Sequence, residues 1–79
     1  MIYRNKWIIK LSHHAYTQAT VRGITQDMIE ATLKTGTMEW FGKNRVRFVG
    51  KYKKGHVVFI GEDKGNNIIK ILTIEWRFL

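Results

Sequence analysis

The chain has 79 residues, enough for one small domain that buries only about 60% of the surface its unfolded form exposes. It contains no cysteine, which excludes disulfides and thiolate metal sites, and its 44% apolar residues argue against a disordered chain. Fourteen Lys and Arg against six Asp and Glu give a formal net charge of +8, which favours polyanions such as RNA or DNA as partners, unless the charge serves only solubility.

No targeting segment is predicted. Residues 1–12 include basic side chains, but their apolar run is only three residues long and no small-residue cleavage site follows it, unlike in a signal peptide. No stretch approaches the roughly 20 apolar residues of a membrane span. We therefore expect a soluble, cytoplasmic protein with no membrane partner.

The first predicted elements are a strand and a helix. Residues 6–11 mix apolar and basic positions over the length of a strand. Ser12 can cap a helix that runs to about Arg22, because Gly23 occupies the position where a left-handed cap residue is expected. A stripe of small residues lets this helix approach a sheet closely: Ala15 and Ala19.

A second helix is predicted over residues 26–35. Thr25 can cap it, Asp27 in its first turn meets the positive end of the helix dipole, and Gly36 ends it. One face at helical spacing consists of Met28, Ile29, Thr32 and Leu33. We expect two short antiparallel helices joined at residues 23–25.

From Thr37 onward the pattern changes to that of strands separated by turns. The predicted strands cover residues 37–41, 45–53, 56–63 and 68–79. Residues 68–72 are apolar on both faces, which is typical of an interior strand. The predicted fold is α+β, with two N-terminal helices packed on one face of a mostly antiparallel sheet, in the order β-α-α-β-β-β-β.

Several kinds of catalytic site are absent from the pattern. Carboxylates are few and scattered, and no histidine cluster has metal-ligand spacing, which argues against a two-metal nuclease site. No glycine-rich phosphate loop precedes a helix. We predict neither a metal ion nor another cofactor.

A polar stripe on the first helix is one candidate site. His14, Gln18 and Arg22 are spaced four apart and so share one side of the helix. Histidine is the side chain best suited to taking and giving protons near neutral pH. The alternative is that the stripe is only the solvated edge of an amphipathic helix.

A basic ridge on the strand over residues 45–53 is the second candidate. Alternation places four cations on one side of it, opposite Val46, Phe48 and Tyr52: Arg45, Arg47, Lys51 and Lys53. Such a ridge suits a phosphate backbone, although Lys and Arg also discourage pairing at exposed strands. Four aromatic residues are candidates for base stacking, most of which must instead be core: Trp40, Phe41, Tyr52 and Trp76.

Residues 11–36, "LSHHAYTQATVRGITQDMIEATLKTG", resemble the opening signature of a family of small bacterial proteins, domain of unknown function 4258. The matches are His14-Ala15 and Arg22-Gly23-Ile24-Thr25, together with the terminal strand "ILTIEW" at residues 71–76. The resemblance covers nearly the whole chain. Gln18 departs from it, because the family has an arginine there. If that arginine holds a phosphate, the contact is weakened here or moved to a strand cation.

This resemblance implies a fold like that of the RelE-type toxins and of the barnase, EndoU and colicin-like ribonucleases. Such enzymes cleave RNA without a metal, because the 2′-hydroxyl attacks the adjacent phosphate. That reaction needs a base, an acid and cations around the phosphate. The likeness also makes His14 the favoured proton-transfer residue.

The leading hypothesis is therefore a metal-independent ribonuclease, a bacterial toxin of a toxin–antitoxin or contact-dependent system. The candidate catalytic residues are His14 as general acid or base, Arg22, Arg47 and Lys51 on the phosphate, Thr73 orienting the substrate, and Glu75 as a weaker second proton-transfer group. The candidate nucleic-acid-binding residues are Gln18, Arg45 and Lys53. The rival hypothesis is a non-catalytic nucleic-acid-binding or protein-interaction module. An acidic antitoxin or immunity protein is a third expectation, compatible with the first.

Overall fold

The computed structural model describes residues 1–78. Its helices are α1 (His13–Val21) and α2 (Gln26–Thr35). Its strands are β1 (Ile2–Arg4), β2 (Trp7–Leu11), β3 (Thr37–Phe41), β4 (Arg45–Tyr52), β5 (Gly55–Gly65) and β6 (Ile68–Phe78). The predicted α+β class is confirmed. Leu79, the last residue of the predicted final strand, lies outside the described residues.

The predicted element order lacks β1. This strand forms a hairpin with β2, in which Ile2 pairs with Ile9 and Arg4 with Trp7. Asn5 in the turn has φ +53°, a conformation that asparagine tolerates better than most residues. Three residues are too few for strand alternation to be recognised, so only the asparagine in the sequence marks this hairpin.

The sheet has the order β1-β2-β6-β5-β4-β3 and is antiparallel except between β2 and β6. Those two strands run parallel because both helices and three strands separate them along the chain. β6 lies between β2 and β5, and its Ile69 and Ile71 are fully buried. The predicted interior position of residues 68–72 is confirmed.

Both helices pack on one face of this sheet, as predicted. α1 lies against β6 and β2, and α2 against β1 and β4. Ser12 accepts a hydrogen bond from the Ala15 N–H at 3.0 Å, and Thr25 accepts one from the Met28 N–H at 3.2 Å, so both predicted caps are present. The helices and the sheet bury one core: Ala15, Ala19, Ile29 and Leu33 against Val46, Phe48, Val57, Phe59, Ile69, Ile71 and Ile74.

The sheet curls around this core. Trp7 of β2 meets Trp40 of β3 with 5.2 Å between ring centroids, although the two strands lie towards opposite edges of the sheet. Arg4 of β1 donates a hydrogen bond of 2.8 Å to the carbonyl of Gly36, just before β3. The curl leaves the helices inside and turns the other face outward.

We call that other face of β3–β6 the open face. Neither helix covers it, and it carries alternate residues of each strand. Its residues on β3 and β4 are Thr37, Glu39, Phe41, Arg45, Arg47, Val49 and Lys51. Those on β5 and β6 are His56, Val58, Ile60, Glu62, Thr73, Glu75 and Arg77.

Candidate functional site

The predicted basic ridge is present on β4 over most of its length. Val46 and Phe48 are fully buried beneath the helices, so the alternate residues Arg45, Arg47 and Lys51 lie on the open face. The predicted strand position of Lys53 is wrong, because β4 ends at Tyr52 and Lys53 lies in the turn before β5. The ridge therefore has three cations, and the fourth is exposed at the end of the sheet.

The register of the sheet places three basic residues in one row. Lys51 on β4 pairs with His56 on β5, and His56 pairs with Arg77 on β6. Side chains directly opposite each other have Cβ atoms about 4.5–5.5 Å apart, and like charges in such pairs are destabilising. His56 therefore has a cation directly opposite it on each neighbouring strand. This basic row, Lys51–His56–Arg77, is an arrangement that a bound anion would relieve.

A shallow groove of about 370 Å³ lies along the basic row. It is lined by Thr37, Glu39, Arg47, Val49, Lys51, His56, Val58 and Arg77. Val58 is only 2% exposed although no helix covers it, so the long polar side chains around it close over an apolar floor. The groove combines a rigid floor with a cationic rim, which suits a phosphate group.

Carboxylates neutralise two of the cations at the groove. Arg47 meets Glu39 at 3.4 Å, and Arg77 meets Glu75 at 3.1 Å. Lys51 and His56 form no side-chain hydrogen bond or ion pair within residues 1–78. Lys51 and His56 are thus the members of the row most available to a ligand.

Arg45, at the far end of the ridge, is part of a separate cluster. Its Nε lies 3.2 Å from Glu62, and Lys64 contacts the same carboxylate at 2.8 Å. The Lys64 ammonium, which donates a hydrogen bond to Glu62, and then the Arg45 guanidinium hold the pKa of the Glu62 carboxyl below its ordinary value, against the effect of partial burial. Arg45 is therefore less available to extend a phosphate track than its place in the sequence suggests.

Thr73 and Glu75 both lie on the open face, as their shared strand parity predicts. Thr73 pairs with Ile60, and Glu75 pairs with Val58. Because Arg77 is directly opposite His56, Glu75 is a diagonal neighbour of His56, a separation that long side chains can bridge. His56 and Glu39 in the groove lining, and Glu75 beside it, are groups that can exchange protons with a substrate, and of the two carboxylates Glu75 is the diagonal neighbour of His56.

His56 is the residue that the sequence interpretation missed. Its position follows from the hairpin between β4 and β5, where Tyr52 pairs with Gly55 and two residues form the turn. A two-residue turn at Lys53 and Lys54 sets the pairing of Lys51 with His56. The sequence contains one indication of this turn, a glycine after two lysines at residues 53–55, but placing His56 beside Lys51 requires the register and not only the alternation.

The polar stripe of α1 lies elsewhere. Ala15 and Ala19 pack α1 against the face opposite the groove, so His14 and Arg22 are not brought together with Arg47 and Lys51. Both side chains are exposed and form no hydrogen bond within the described chain. The structure therefore divides the predicted catalytic residues into one group on α1 and another on the open face.

Gln18, the middle member of the stripe, has a structural contact. Its Oε1 accepts a hydrogen bond of 2.9 Å from the backbone N–H of Ile74 on β6. β2 pairs with β6 only as far as Ile71, so the edge of β6 beyond that point has no strand beside it. Gln18 supplies the missing acceptor, and this use competes with its predicted role in nucleic-acid binding.

Within residues 1–78, no group of three or more His, Asp or Glu side chains is placed to hold a metal ion. The longer of the two described helices has ten residues, too few to cross a membrane. No family model, curated protein or solved structure matches this chain.

Proposed function

We propose that this protein is a small ribonuclease that binds RNA across the open face and cleaves it without a metal ion. One observation carries the proposal: the basic row places His56 between Lys51 and Arg77, in the lining of a groove of about 370 Å³. The net charge of +8 supports an RNA partner, since a polyanion gains from many weak contacts.

The groove offers the groups that 2′-hydroxyl attack requires. A base takes the proton of the 2′-hydroxyl, whose oxygen bonds to the adjacent phosphorus. The bond from phosphorus to the 5′-oxygen breaks, and an acid protonates that oxygen, leaving a 2′,3′-cyclic phosphate and a 5′-hydroxyl end. His56 and Glu75 would share the two proton transfers, while Lys51 and Arg47 neutralise the crowded phosphate. Thr73, two positions before Glu75 on β6, would orient the substrate further along the open face.

This proposal differs from the sequence hypothesis in its histidine. His14 lies on α1, on the other side of the sheet from Arg47 and Lys51, whereas His56 lies in the same row as Lys51. His56 is therefore the better-placed candidate for proton transfer, and Arg22 is left outside this groove.

We propose in addition that the enzyme acts as a bacterial toxin on cytoplasmic RNA, with an acidic antitoxin or immunity protein as its partner. The resemblance of residues 11–36 to the domain of unknown function 4258, and the RelE-like fold it implies, support this interpretation. The cations of the same open face would complement the negative charges of an acidic partner.

A non-catalytic RNA-binding module is the second candidate. It is favoured by the ion pair between Glu75 and Arg77, since this contact engages the carboxylate with a cation of the protein instead of with a substrate. The same face would then bind phosphates without cleaving them.

Cleavage of a labelled RNA by purified protein, with and without EDTA, separates the two candidates. We expect wild type to yield 2′,3′-cyclic phosphate ends in either buffer, and His56→Ala to lose about 10²–10⁴ in rate with RNA affinity retained. His13→Ala, an exposed histidine on α1, is the matched control and should cleave normally. Full activity of His56→Ala with loss in His14→Ala would return the assignment to α1. An inactive wild type that still binds RNA would establish the binding module.

A further inference from the structure

Three aromatic residues form a platform at the end of the sheet next to the turn between β4 and β5. Trp76 and Phe78 of β6 stack with 5.6 Å between ring centroids and 14° between ring planes. Tyr52 of β4 meets the Trp76 ring edge-on at 6.0 Å. We call Tyr52, Trp76 and Phe78 the aromatic platform.

The platform is held in place from below. The Trp76 indole N–H donates a hydrogen bond of 2.9 Å to the carbonyl of Arg22 at the end of α1, and both Trp76 and Tyr52 pack against the core. Phe78 rests on this support, yet 71% of it is exposed. A ring that is stacked on one side and exposed on the other presents a stacking surface to a ligand.

Cations surround the platform. Arg22 lies beside Trp76, and Lys53 and Lys54 form the turn between Tyr52 and Gly55, the residue paired with Phe78. None of these three cations forms an ion pair among the described residues. Aromatic rings flanked by free cations are typical of surfaces that bind single-stranded nucleic acids, where bases stack and phosphates meet lysine and arginine.

The platform and the basic row lie at the same end of the sheet, on opposite faces of β6. Arg77 belongs to the basic row on the open face, and Phe78 follows it on the opposite face of the same strand. A strand of RNA whose phosphate occupies the basic row can pass the end of the sheet at the Lys53–Lys54 turn and reach Phe78. A duplex cannot, because its bases are already stacked on one another.

We propose that the aromatic platform stacks an unpaired base, so that the ligand of this protein is single-stranded RNA. The proposal rests on the proposed function only in taking RNA as the polyanion, and it does not require cleavage. It assigns Phe78 as the stacking residue and Lys53 and Lys54 as contacts for the neighbouring phosphates.

The test is a binding measurement with 2′-O-methyl RNA, which lacks the attacking hydroxyl and cannot be cleaved. The three probes are a labelled single strand, the same strand in a duplex, and inorganic polyphosphate. We expect Phe78→Ala to weaken single-strand binding by about 5- to 100-fold, with duplex and polyphosphate binding unchanged. Phe78→Leu keeps an apolar side chain but no ring, and should lose most of the same affinity.

Tyr3→Ala is the matched control, because Tyr3 is 62% exposed on β1 and lies outside the platform. It should bind all three probes as wild type does. Equal losses for Phe78→Ala on every probe, or no loss on any, would overturn the stacking proposal while leaving RNA binding intact. A wild type that binds none of the probes overturns both proposals.

Discussion

The side chain of Gln18 on α1 accepts a hydrogen bond from the backbone N–H of Ile74 on β6, with 2.9 Å between Oε1 and the nitrogen. This bond joins the helix to a strand edge that β2 leaves open after Leu11. An exposed-looking polar residue of the helix therefore acts as a substitute for a neighbouring strand.

Loss of this bond should destabilise the fold. Gln18→Ala leaves a part-buried N–H without its partner, and we expect the free energy of unfolding to fall by about 1–3 kcal/mol in urea denaturation. Gln18→Arg introduces the residue found in the resembled family. It should lower the free energy of unfolding by a similar amount, because a guanidinium group has no hydrogen-bond acceptor. His13→Ala on the same helix serves as the control, and an unchanged unfolding midpoint for both Gln18 variants would contradict the assignment.

Close contact between α2 and β4 gives a second prediction. A Cβ built on Gly50 would overlap Thr32 Oγ1 and lie 3.3 Å from Thr32 Cγ2, and that hydroxyl has no hydrogen-bond partner among residues 1–78. Gly50→Ala should therefore cost about 1–3 kcal/mol of stability through overpacking.

The double variant Gly50→Ala/Thr32→Ala tests the cause of that loss. Removing the hydroxyl and methyl of Thr32 makes room for the new Cβ, so the double variant should recover part of the stability. If the stability changes of the two single variants simply add in the double variant, measured by thermal or urea unfolding, then the contact with Thr32 is not the cause of the loss in Gly50→Ala.

The affinity for RNA should fall as the salt concentration rises, and the cations of β4 should contribute unequally to this salt dependence. Each phosphate neutralised on a single strand contributes about 0.7 to the slope of log affinity against log salt concentration. Lys51→Ala should reduce the slope by about that amount, because Lys51 has no carboxylate partner within the described residues. Arg45→Ala should reduce it less, since Glu62 already pairs with Arg45. Equal slopes for wild type and Lys51→Ala would exclude Lys51 from the interface.

Glu62 predicts a pH dependence of stability. Its pKa in the folded protein lies below the ordinary value, first because of Lys64 and then because of Arg45. The carboxylate therefore stabilises the fold above the unfolded-state pKa, and this contribution disappears as the pH falls through the lower folded-state value. Glu62→Gln should lower the melting temperature at about pH 7 and have little effect at about pH 2.

A reversed order, with the larger effect of Glu62→Gln in acid, would contradict the assigned sign. Side-chain titration by NMR gives an independent measure, in which Lys64→Ala should raise the pKa of Glu62 more than Arg45→Ala does, because Lys64 is the larger cause.

Much of the fold follows from local sequence features. The caps at Ser12 and Thr25 and the change of period at Thr37 predict both helices and the start of β3. β1 was not predicted, because three residues are too few to show the alternation of a strand. The arrangement of the site residues could not be predicted in this way, because it depends on which strands become neighbours in the sheet.

Two residues illustrate those limits. The position of His56 beside Lys51 follows from the register of a hairpin, which alternation alone does not specify. The role of Gln18 depends on where β2 stops along β6, a relation between distant segments that helical spacing cannot reveal. Alternation along one strand thus predicts which of its residues share a face, but it does not predict which residues of other strands or helices lie beside them.

The parallel pairing of β2 with β6 also constrains when the protein can fold during synthesis. β2 emerges early and has only the short β1 beside it, whereas the strand that covers its other edge, from Ile68, is the last of the described strands to leave the ribosome. α1 lacks its main support until then, because it packs chiefly on β6. The core, the basic row and the platform all include β6 residues, so a nascent chain acquires neither a stable fold nor the proposed RNA-binding surface before β6 has emerged from the ribosome.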